Sequence, residues 1–169
     1  MKPTAAPIGA FGCTIDAETM LLLENPLNAS PVIFPVIECF HIAGFVLAIG
    51  TIALVDFRLL DWVMPHQTPA QLTKDTSVWT LAGLMLVICS GLMIYSTDPD
   101  MYYLNLPFLL KMACLTLAIV FHYTILRKVA LSGAPPGKSK LVAWVSLGLW
   151  AAVLFGGIFI GFTGPDLSF

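Results

Sequence analysis

The chain has 169 residues, 58% of them hydrophobic and only 11% charged, with a formal net charge of −2. Soluble domains carry about a quarter charged residues, so this composition cannot make a water-facing surface around a domain of ordinary size. A net charge this small also provides no basic field for nucleic acid, which is excluded as a partner.

Taken in chain order, residues 1–34 read as an N-terminal arm, polar and proline-containing, with one short surface helix expected from Ile15 to Leu23. Cys13 follows Ala10, Phe11 and Gly12, and the bulky Phe11 spoils any lipid-attachment signal. No compact apolar segment follows Lys2, so the first span is expected to act as its own insertion signal. Four apolar runs follow, at 35–59, 78–96, 108–126 and 141–162. Each is close to the roughly 20 residues that cross a bilayer, and none has the polar stripe of a soluble amphipathic helix. Backbone groups in lipid must pair within their own segment, which makes each run a helix. The connections at 61–77, 98–107 and 132–140 hold the prolines, glycines and charges that break helices. Pro69 and Pro107 sit where a helix can begin. Short connections make sequential helices antiparallel neighbours. The expected fold class is therefore all-α, a four-helix transmembrane bundle running up and down over residues 35–162, with a short tail at 163–169.

Arg58, Lys74, Arg127, Lys128, Lys138 and Lys140 flank the connections after the first and third spans, and only Lys2 and Lys111 fall on the other side. The positive-inside rule puts that basic end in the cytoplasm and both termini outside, in the periplasm if the bilayer is a bacterial inner membrane. Trp62, Trp79 and Trp144 then line the inner interface and Tyr102 and Tyr103 the outer one. Asp56, Arg58 and Asp61 are expected to anchor a span end. Gly157 and Gly161 have the spacing that lets helices approach closely, a packing signal. Cys39, Cys89 and Cys114 lie inside spans and read as small hydrophobes.

Ionisable groups within a span are costly, so each is a functional candidate. Glu38 and His41 share a face of the first span, and His122 lies in the third. Imidazole is the commonest metal ligand and holds heme iron singly or in pairs. The alternative is that these side chains only hydrogen-bond across helices and cement packing. One heme shared by His41 and His122 meets a depth difference: about six residues from the outer end against about fourteen, or roughly 12 Å at about 1.5 Å per residue. Two one-histidine sites fit these depths better, with Met93, Met112 or His66 as second partners. Lys111 reads as an interfacial anchor or as the partner of an anion, either Glu38 or a heme propionate. Ser90, Ser96 and Thr116 have no base partner in their own segments, and no phosphate loop, zinc-protease motif or hydrolase elbow is present. Catalysis by this chain alone is not expected.

The stretch FPVIECFHIAGFVLAIGTIALVDFRLL carries Pro35, Glu38, His41, Gly44, Gly50, Asp56, Arg58 and Leu59 in a spaced pattern. Trp79, Gly83, Ser90 and Gly91 follow in the second run, and Asn105, Phe108, Lys111, Phe121 and His122 in the third. Over roughly residues 31–162 this pattern resembles an uncharacterised family of small bacterial four-helix inner-membrane proteins, distantly like copper-resistance-D and small b-type cytochrome membrane proteins. The resemblance implies a shared role for Glu38, His41, Lys111 and His122. Where that family often ends its fourth span with Gly-Arg, this chain has Gly157 followed by Ile158. The reading from sequence is a membrane protein carrying heme b on His41 and His122 and passing electrons within a larger membrane assembly, with Glu38 and Lys111 as supporting groups. A cofactor-free assembly subunit, or a site for copper or another metal-centred pigment, is the alternative.

Overall fold

The structure is a computed structural model and describes Leu27, residues 31–103 and residues 105–162. The short helix expected at 15–23, Cys13, and the arm and tail outside those ranges lie beyond the described residues.

Four long helices form. The first, α1, runs over Ile33–Leu59, and α2 over Pro69–Thr97. A single turn, α3 (Pro99–Tyr103), leads into α4 (Leu106–Phe121), which continues through a π-helical turn at His122–Leu126 into α5 (Arg127–Ser132). The last helix, α6, spans Pro136–Phe162. Counting α4 to α5 as one rod, all four rods are long and apolar enough to cross a membrane. Their outward faces are apolar: Val46, Val78, Leu92 and Leu141 are among the most exposed side chains. That is the reverse of a soluble fold and is the expected surface where lipid is the solvent. Cys39 and Cys89 are exposed on it as well, and Cys114 is half-buried. The chain is an all-α, multi-pass integral membrane protein, in contact with lipid along its spans.

The helices extend beyond their apolar runs. Residues 69–77, expected as a connection, are the first turns of α2. Thr68 accepts from the Gln71 backbone while the Gln71 side chain accepts from the Thr68 backbone, and Pro69 occupies the first helical position. This reciprocal cap starts a helix without regard to hydropathy. Asn105 caps α4 one way only, its side chain accepting from the Phe108 N–H. Gly133, at φ 61°, closes α5, and α6 begins at Pro136 inside the expected loop.

α1 packs mainly on α2, and α4 mainly on α6, with α1 also touching α6. A close crossing lies at Gly83. A Cβ on Gly83 would fall 2.6 Å from the Ala48 nitrogen and 2.9 Å from the Gly44 oxygen, so α1 and α2 touch backbone to backbone there. Two cores follow the bundle axis, one around Ile52, Leu84, Ala118 and Trp150, the other around Val55, Leu59, Leu126 and Ala143. Tyr95, Tyr102 and Phe108 cluster at one end, with centroids 5.5–6.2 Å apart. Phe57, Trp62 and Trp144 stack at the other, basic end.

Candidate functional site

His41 is half-buried on α1 and reaches α2, where its Nδ1 lies 2.9 Å from Ser90 Oγ. Ser90 is the partner that the sequence did not reveal, because it stands 49 positions away. Its own proton is committed within α2, to the Leu86 carbonyl at 2.6 Å. A hydroxyl has one proton, and with it on the shorter Leu86 contact Ser90 accepts from His41. That places the imidazole proton on Nδ1 and leaves Nε2 with a free lone pair. Gly91 makes room for the ring: a Cβ there would stand 3.2 Å from His41 Cε1.

Lys111 on α4 is half-buried, with its stem along α6. A Cβ on Gly156 would fall 3.1 Å from Lys111 Cβ, and one on Gly157 would fall 3.3 Å from Nζ. Glu38 is exposed, and among the described residues it makes no ion pair with Lys111 within 4.0 Å and no hydrogen bond to His41. Its charge reaches instead to Tyr102 in α3, whose hydroxyl is held above its ordinary pKa by burial first, then by Asp98 and Glu38. The structure thus pairs His41 with Ser90, lays Lys111 against α6, and leaves Glu38 exposed. Met93 and Met112 are exposed. Among the described residues no three His, Cys, Asp or Glu side chains gather as a metal cage.

His122 is elsewhere. It is 6% exposed, opens the π-helical turn, and lines a small pocket with Val55 and Thr80. Those neighbours lie about three to four helical turns from Ser90 and His41, an axial offset of roughly 15–20 Å at about 1.5 Å per residue. The structure does not bring the two histidines to one centre. His66 is exposed in the α1–α2 connection.

Asp56 departs from the expected role of anchor. Arg58 does pair with Asp61 at 3.0 Å, and Lys140 approaches Asp61 at 3.7 Å, all at the interface. Asp56 is wholly buried: Oδ2 accepts from Ser146 Oγ on α6 at 2.8 Å, and Oδ1 has no partner among the described residues. Grouping by sequence proximity put Asp56 with Arg58 and Asp61. Helical rotation puts it on the opposite, inward face.

No curated protein and no solved structure matches the chain. The model of one family matches residues 31–163. That span includes the four helices and every site residue named above, so the chain belongs to the family of unknown function DUF6644.

Proposed function

We propose that this protein is a non-catalytic electron-transfer subunit of a larger assembly in a bacterial inner membrane, with its basic end in the cytoplasm, both termini in the periplasm and a b-type heme held by His41. The observation that carries the reading is the hydrogen-bond order at His41. Because Ser90 has spent its proton on Leu86, Nδ1 donates and Nε2 is free, the tautomer and fixed ring that a metal-ligating histidine needs. Lys111 supplies a half-buried cation for an anionic substituent such as a propionate, in place of the arginine that does not follow Gly157. A bound heme supplies a one-electron couple, while the chain supplies the ligand, its orientation and apolar surroundings. His41 would hold such a group through one protein ligand, and a neighbouring subunit would supply any other, which is why an assembly belongs to the reading. Copper or another metal-centred pigment would use the same Nε2.

A cofactor-free assembly subunit is the second reading. It is favoured by the position of the His41–Ser90 bond on the same α1–α2 seam that Gly83 closes. The test is a reduced-minus-oxidised visible spectrum of protein purified in mild detergent from cells supplied with heme. A Soret band with sharp reduced α and β bands is expected in the wild type and in His122→Ala, and its loss in His41→Ala. Loss in both variants would overturn the one-histidine assignment. A colourless wild type would remove heme and leave the assembly reading.

A further inference from the structure

The half of α2 nearest the basic end carries Thr73, Thr76, Ser77 and Thr80, at spacings that put all four on one helix face. They line a narrow pocket of about 10 Å³ together with His122 and Arg127. Each hydroxyl proton is already committed. Thr73 donates to the Pro69 carbonyl at 2.7 Å, Thr76 to Leu72 at 2.8 Å and Ser77 to Lys74 at 2.7 Å. Thr80 donates either to the Thr76 carbonyl at 3.0 Å or to Thr51 Oγ1 at 2.8 Å. What the four still offer is lone pairs, so on the α2 side the pocket is an acceptor surface. On the same pocket, His122 is 6% exposed and its Nδ1 has no hydrogen-bond partner among the described residues.

A guest here must donate hydrogen bonds and be very small. The volume is about that of a single water sphere, and a buried water wants roughly two to four polar partners, which this lining provides. The Arg127 guanidinium on the wall disfavours a metal cation, and no carboxylate lines the pocket to offset it. An apolar guest would leave His122 Nδ1 unpaired, at a cost typical of a buried orphan. The wall is not uniformly closed: Thr73, Thr80 and His122 are buried, Thr76 and Ser77 half-buried, and Arg127 exposed. We propose that this pocket is a water site: the water donates to the α2 hydroxyl oxygens, pairs with His122 Nδ1, and exchanges along the Thr/Ser face with solution at the basic end. It gives the inner half of the bundle a wetted inlet ending at His122. It stands apart from His41 and does not depend on any cofactor there.

The chain has three histidines, so ¹⁵N-histidine labelling of the full protein in lipid bilayers gives three ring systems to resolve. Water-to-nitrogen polarisation transfer is the readout, with exposed His66 as the positive control. Transfer to His122 is expected in the wild type. It should fall severalfold in the Thr76→Val, Thr80→Val double variant, while His66 is unchanged. A dry His122 in the wild type overturns the proposal, and so does a wet His122 indifferent to the double substitution. Thr76→Ser with Thr80→Ser keeps both hydroxyl oxygens and should retain the wild-type transfer to His122; a fall as large as that of the valine variant overturns the assignment of the hydroxyls as the water's acceptors.

Discussion

Ser90 shows how little of a membrane site is visible one segment at a time. Alone it is a hydroxyl back-bonded to its own helix; placed beside His41 it fixes an imidazole tautomer. Ser90→Ala should lower stability by about 0.6–1.5 kcal/mol, the range for hydrogen bonds between membrane helices, measured by unfolding in mixed micelles. An unchanged unfolding midpoint would mean the contact is not formed in lipid. Asp56 is the second residue whose role depends on a distant partner. Ser146→Ala removes the one hydrogen bond that the Asp56 side chain makes among the described residues. The cost should be about 1–3 kcal/mol, because a buried carboxyl is left unpaired. Replacing both partners by apolar groups, as in Asp56→Leu with Ser146→Ala, should recover most of that loss. A double variant no better than the single one would show that Asp56 does something other than pair with Ser146.

The elements owe their ends to local chemistry and their register to packing. The caps at Thr68 and Asn105 explain why helices begin outside the apolar runs. The π-helical turn has a different cause. Ala118, His122, Leu126 and Ala130 are all buried, at a strict spacing of four. A regular helix turns once per about 3.6 residues, so that spacing would drift off one face by roughly 40° per step. The wider turn, in which the Arg127 N–H reaches back to the His122 carbonyl, takes up the drift and keeps His122 and Leu126 facing inward. The Gly83 crossing belongs to this scale too. Gly83→Ala would drive a Cβ into the backbone of α1, which has no flexible side-chain end to yield. A loss of about 1–3 kcal/mol is expected from the overpacking, by the same unfolding assay. Gly148→Ala, with open space around it, should be near neutral and serves as the control.

At the scale of the whole molecule, four apolar rods form two tightly packed pairs, joined where α1 meets α6. All the cations except Lys111, among the described residues, lie towards one end of the bundle. If that asymmetry sets orientation, His66→Cys in the α1–α2 connection should react with an impermeant thiol reagent in inside-out vesicles and not in right-side-out ones. The reverse pattern would invert the proposed topology and put the His41 site at the cytoplasmic face. By itself the sequence determined the helical class, the number of spans, the apolar outer surface and the breaks near Pro69, Asn105 and Gly133. Those follow from the bilayer, which demands about 20 apolar residues per crossing and internally paired backbone, and from caps that act within a few residues. Glu38, His41, Lys111 and His122 stood out because ionisable groups are rare inside a span. Only the tertiary structure decided which of them meet. His41 found Ser90, Asp56 found Ser146, and His122 turned towards the hydroxyl face of α2, because each pairing depends on helix rotation and on which rods are neighbours. The hydroxyls of that face were spaced for detection, but hydropathy read Thr73, Thr76 and Ser77 as a connection and Thr80 as part of the second run, which hid their shared periodicity.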